Sequence, residues 1–123
     1  MPRLALHSAR LHSRSWISIT WLEHWILMRN RYLVTYDITE DERRTSVYKT
    51  LRGFGDHLQY SVFRCDLSST DRARLLAALH PLIDQREDQI LIVDLGPVDG
   101  RASACVESIG RPYRPPERTV IVI

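Results

Sequence analysis

Cysteine is scarce in this chain of 123 residues: Cys65 and Cys105 stand alone, with no CxxC pair. Two such residues can build neither a disulfide framework nor a four-ligand zinc site, and they read as small, reduced, apolar residues of a cytoplasmic protein. Lysine is nearly absent, with Lys49 the only one, so the basic residues are arginines whose planar fork suits phosphate. A charge excess is lacking too. The formal +2 is accounted for by Arg3, Arg10 and Arg14 against Glu23, and the rest of the chain balances at zero. Net charge therefore gives no argument for a polyanion partner, and any such argument rests on local clusters such as Arg43-Arg44. Long apolar runs are missing as well. The nearest, WISITWLEHWIL, holds Glu23 and His24 and has no A-x-A site, which excludes a signal peptide. It is too short and polar to span a bilayer, so no membrane anchor is expected. No HxxxH spacing, internal repeat or low-complexity tract occurs.

What is present describes one domain. Apolar residues make up 44% and charged residues 26% of the chain, ordinary values for a folded protein. All three tryptophans and three of the five histidines lie in residues 1–27, and composition changes abruptly at Met28. Two readings stand for this extension: a mis-assigned start upstream of Met28, or an amphipathic appendage lying on a partner or a membrane surface. A folded domain over 28–110 and a tail over 111–123 complete the division.

The run YLVTYDI is rich in β-branched and aromatic residues and predicts a buried strand ending near Asp37. Thr39-Glu40-Asp41-Glu42 then starts a helix over about 41–54, with Val47, Leu51 and Phe54 at helical spacing and Gly53 and Gly55 at its end. LQYSVFRCDL is strand-like, either one long bent strand or two short ones. A second helix follows Ser68-Ser69-Thr70, its apolar stripe being Leu75, Leu76, Leu79, Leu82 and Ile83, with Pro81 shortening or kinking it. ILIVDL is a further strand. Cys105–Ile109 is a weaker segment, and Pro115-Pro116 sets off a terminal TVIVI.

Strands alternating with two helices imply an α+β, ferredoxin-like sandwich: an antiparallel sheet with both helices on one face. The other face then lacks cover, and TVIVI is an apolar edge strand without a partner. A homodimer packed through the sheets, with the tail strand added to the partner's sheet, meets both needs. The alternative is a tail folded back on its own sheet.

Asp37 is the first candidate for chemistry, because a carboxylate at a strand end has a rigid scaffold behind it. Magnesium takes one or two carboxylates and keeps several waters, and a two-fold axis would supply a second Asp37. Capping of the following turn is the equal alternative on local pattern. Arg43 and Arg44, in the first turn of the first helix, read either as phosphate contacts or as solvated surface. Ser61 has no base at a readable distance and is not a nucleophile. Three function classes remain open: an endonuclease, a non-catalytic scaffold holding duplex DNA, and a small-molecule-sensing regulator. The last lacks a convincing Gly-rich effector loop.

YLVTYDIT, DERRTSVYKTLRGFG, and QYSVF leading into CDLSS together resemble the CRISPR-associated protein two family over about residues 29–109. The resemblance implies ferredoxin-like homodimers that act as magnesium-dependent endonucleases on RNA or double-stranded DNA and join CRISPR-associated protein one in spacer acquisition. It makes Asp37 the catalytic, metal-binding residue and Tyr36 its usual neighbour. Arg44 is implied for substrate contact, and Ser61 and Phe63 match the Ser-Val-Phe element, while Arg43 stays a substrate-contact candidate on its place beside Arg44 alone. Members start close to the first strand, as a start at Met28 would. Ser46 and Arg64 depart from the family pattern, in which some members have a basic residue at the first position and an acidic residue often stands at the second.

Overall fold

Tyr32, Val34 and Tyr36 point one way from the first strand and are buried, while Arg31, Leu33 and Thr35 point the other way and are only partly covered. This period of two makes Asn30–Asp37 a strand, β1, with one core face. The structure is a computed structural model that describes residues 28–115. The extension 1–27 and the tail strand expected in TVIVI lie outside the described residues.

Helix α1 (Asp41–Arg52) has Asp41 and Glu42 in its first turn and Lys49 and Arg52 in its last, each sign where the helix dipole favours it. Its buried stripe is Val47 and Leu51, both fully enclosed. Two short strands follow, β2 (Asp56–Gln59) and β3 (Val62–Leu67), joined by a turn at Tyr60-Ser61. Helix α2 (Ser69–Leu79) starts where the Ser68 hydroxyl accepts the Asp71 N–H at 3.1 Å, an N-cap of the usual kind. It ends at Leu79 because Pro81 cannot continue the hydrogen-bond ladder, and His80–Leu82 form a 3₁₀ turn instead. Leu75 and Leu79 are buried, but Leu76 is exposed and drops out of the expected apolar stripe. Strand β4 (Gln89–Pro97) follows, then a 3₁₀ turn at Arg101–Ala104. The segment Cys105–Ile109 forms no strand.

The sheet order is β2-β3-β1-β4, antiparallel throughout. Val47 and Leu51 of α1 and Leu75 and Leu79 of α2 share one core with Tyr32, Val34, Phe63, Cys65 and Leu67, so both helices cover the same face. That is the expected ferredoxin-like sandwich. The opposite face is less bare than the sequence implies. Arg31 binds Asp66 with two hydrogen bonds, Nε to Oδ1 at 2.8 Å and Nη2 to Oδ2 at 3.1 Å, and donates to the Ala102 carbonyl at 3.3 Å. Arg64, 6% exposed, meets the Tyr113 hydroxyl at 3.4 Å. The chain beyond β4 thus folds over one part of this face, while Leu91 and Val93 remain about half exposed on another.

Candidate active site at the end of the first strand

Asp37 is the last residue of β1, exposed, in register with Gln89 of β4. Alternation puts it on the same face as Arg31, Leu33 and Thr35, away from the helices. The turn that follows is held by other groups. Arg44 donates from Nη1 to the Ile38 carbonyl at 2.7 Å and pairs through Nη2 with Asp41. The Thr39 N–H donates to Asp88 Oδ1 at 3.1 Å, and its hydroxyl bonds Glu87 at 3.2 Å. Among the described residues no hydrogen bond or ion pair holds the Asp37 carboxylate. The turn-cap alternative is therefore carried by Thr39 and Asp88.

The two arginines separate. Arg44 stays beside the exit from β1, with 29% of its side chain exposed. Arg43 commits its guanidinium elsewhere: Nε to Asp88 Oδ2 at 2.8 Å, Nη1 to Glu40 at 3.2 Å, Nη2 to the Thr39 hydroxyl at 3.1 Å and to Glu87 at 3.3 Å. The grouping of both beside Asp37 for phosphate thus needs correction for Arg43, whose donors are taken by acidic neighbours. The Asp88 carboxyl is held well below the usual carboxylate range. The Arg43 hydrogen bond is the largest cause, burial opposes it, and the N–H groups of Asp84 and Thr39 assist.

Phe63 also needs correction. It is 0% exposed and packs against Tyr48 with ring centroids 5.5 Å apart and against His57 at 4.9 Å, so it cannot touch a substrate. It supports Tyr36, whose ring lies 6.4 Å away. Tyr36 is itself 8% exposed. Its hydroxyl titrates above the ordinary tyrosine range, chiefly through burial, then through Tyr60 and Tyr48, with Arg44 pulling the other way. Ser61 adopts a left-handed backbone, φ 66°, and its carbonyl accepts the Tyr36 N–H at 3.1 Å. That bond ties the β2–β3 turn to the end of β1 and brings the exposed Tyr60 to the same corner.

Sequence reasoning missed two residues. Tyr60 lies in a run of strand-forming residues, and Asp88 stands between the second helix and the strand that follows, so neither carries a local signal of its own. What marks Asp88 is its place directly before the strand that pairs with β1.

The donor chemistry fits a hard divalent cation. Asp37 offers an exposed carboxylate on a rigid strand end, and magnesium needs only one or two of these beside waters. Among the described residues no group of three or more His, Cys, Asp or Glu could form an all-protein cage. Asp37 is the carboxylate that the end of β1 offers toward such an ion.

The sequence signature of the family described as CRISPR associated protein Cas2 matches residues 29–99. The chain belongs to the Cas2 family. Its similarity extends to "CRISPR-associated endoribonuclease Cas2 1" of Rhodospirillum rubrum, 38% identical over 92 residues, covering 75% of this chain and 89% of that protein. "CRISPR-associated endoribonuclease Cas2" of Geobacter sulfurreducens is 36% identical over 96 residues, 78% of this chain and 100% of that one. The crystal structure of Streptococcus pyogenes Cas2 superposes with a TM-score of 0.58 at 28% identity, covering 65% of this chain and 99% of that chain. The part that matches the Cas2 signature contains Tyr36, Asp37, Arg43, Arg44, Ser61, Phe63 and Asp88. No helix among the described residues is long and apolar enough to cross a membrane.

Proposed function

We propose that this Cas2-family chain is a magnesium-dependent endonuclease that hydrolyses phosphodiester bonds in RNA or double-stranded DNA as a homodimer. The observation that carries the reading is the exposed Asp37 carboxylate on a rigid strand end, held by no other described side chain, in a family whose curated relatives are named endoribonucleases. When bound, the divalent cation supplies Lewis-acid polarisation of a phosphoryl oxygen and a more acidic water. Asp37 would hold the ion, and an isologous interface would bring a second copy of the same carboxylate to it. Arg44, partly exposed beside the β1 exit, neutralises phosphate charge. The raised Tyr36 hydroxyl stays protonated and remains a hydrogen-bond donor at neutral pH. Attack by water with departure of the 3′ oxygen leaves a 5′-phosphate and a 3′-hydroxyl.

The half-exposed Leu91 and Val93 on the helix-free face support the dimer, since an apolar sheet face in water favours association. The family resemblance supports CRISPR-associated protein one as a partner and spacer acquisition as the biological role, in the cytoplasm.

The test is a nuclease assay of wild type and Asp37→Ala across a magnesium titration. Loss of at least about a hundredfold in rate is expected, the scale of removing a group that stabilises transition-state charge. Equal cleavage by both proteins would place the activity elsewhere. A second reading, a non-catalytic scaffold holding duplex DNA by its backbone, is favoured by the engagement of Arg43 with acidic neighbours and by the lack, among the described residues, of any cluster of three or more metal-ligating side chains. It predicts full spacer acquisition by the Asp37→Ala protein.

A further inference from the structure

Three neighbours fix the three residues that leave β1. Asp37 is in register with Gln89, the Ile38 carbonyl is bound by Arg44, and Thr39 is bound by Asp88. Asp88 directly precedes Gln89, so one short stretch faces both the candidate metal ligand and the turn after it. The Asp88 side chain is fully enclosed, with 0% exposure. Its carboxylate accepts from Arg43 Nε at 2.8 Å and Nη2 at 3.3 Å, from the Thr39 N–H at 3.1 Å and hydroxyl at 3.4 Å, and from the Asp84 N–H at 2.8 Å. Its own N–H donates to the Asp84 carbonyl at 2.9 Å, and the Asp84 side chain accepts from the Arg86 and Glu87 N–H groups, closing the α2–β4 loop on itself.

We infer that Asp88 is a positioning residue for Asp37, resting on the proposed role of Asp37 as a metal ligand. A buried ion pair of this kind is weak evidence for stability, because an apolar pair of similar volume often does as well. What an apolar pair cannot do is bind the Thr39 amide and the Arg43 fork together and so hold the β1–α1 turn in one place against β4. Groups one step removed from a metal ligand commonly alter metal affinity or activity by about ten- to a hundredfold when removed. Asp88 acts at one further remove, since it holds the backbone of Thr39, two residues downstream of Asp37, and so the lower end of that range is expected.

The experiment compares wild type, Asp88→Asn and an Arg43→Met/Asp88→Leu double variant of the full chain. The double variant replaces the ion pair by apolar volume, so a folded protein remains available should the single substitution unfold. Manganese affinity is read from the paramagnetic resonance of the free ion, exchange from the Thr39 amide proton, and folding from circular dichroism. Asp88→Asn keeps an oxygen for the Thr39 N–H and loses the acceptor for Arg43 Nε and the Asp84 N–H, whereas the double variant exposes the Thr39 amide outright. Both are expected to bind manganese more weakly, the double variant about tenfold or worse, with secondary structure retained. Manganese affinity within about twofold of wild type, in a folded variant whose Thr39 amide exchanges freely, overturns the positioning role. An Asp37→Asn control separates the two claims. If it binds manganese as wild type does, the reading of Asp37 fails, and the role of Asp88 fails with it.

Discussion

Gly55 is the residue at which α1 gives way to β2 with no room for a side chain. A Cβ there would overlap the Arg64 carbonyl oxygen and the Cys65 sulfur. The backbone oxygen belongs to a sheet strand and cannot yield. Gly55→Ala is therefore expected to destabilise the fold by about 1–3 kcal/mol or more, as overpacking does. Urea unfolding measures this, and an unchanged midpoint would show that the helix-to-strand corner can open. The sequence marked Gly53 and Gly55 as a helix end, yet the reason differs. Neither has the left-handed φ that a glycine stop commonly serves, and Gly55 is needed for close approach to β3. Phe63 shows the same limit. Gln-Tyr-Ser-Val-Phe was legible as a motif, but only the packed structure shows Phe63 enclosed beneath Tyr36, not facing a substrate.

At the level of elements, α1 and the α2–β4 loop are joined by charge. Asp88 titrates well below the ordinary aspartate value of about 3.9, chiefly through its Arg43 hydrogen bond. A carboxyl whose pKa is depressed on folding contributes stability that is complete above its unfolded pKa and is lost as pH falls toward its folded one. The stability gap between wild type and Asp88→Asn should thus stay constant from pH 7 to about pH 5 and shrink below about pH 4. Thermal unfolding over that range measures it, and a gap that widens on acidification would reverse the sign. Glu40 and Glu87, also paired with Arg43, face the same cluster and are unchanged in both proteins. Strand and helix periodicity made both elements readable. The bond between them was not, because Arg43 and Asp88 lie 45 residues apart and no local pattern pairs them.

Among the described residues, one sheet face is covered by helices and the other is partly closed by the chain after β4. Val93 pairs with Leu33 across the uncovered region and is 45% exposed. A carboxylate placed there would be desolvated by any partner sheet, at a cost a dimer cannot absorb. Wild type is expected to be dimeric by light scattering at micromolar concentration and Val93→Glu to be monomeric with unchanged circular dichroism. A monomeric wild type would remove the shared Asp37 site. A dimeric Val93→Glu protein would move the interface to another face.

By itself the sequence determined the element order, the two-helix sandwich and the corner that bears Asp37, because those follow from local periodicity, capping and punctuation by glycine and proline. The tertiary structure decided which candidate residues reach that corner. It left Arg44 at the exit from β1, bound to the Ile38 carbonyl, drew Arg43 into the Asp88 cluster, enclosed Phe63 and brought up Tyr60 and Asp88. The physical reason is that hydrogen bonds and burial join residues distant in sequence. Asp88 becomes a neighbour of Asp37 only once β4 has paired with β1.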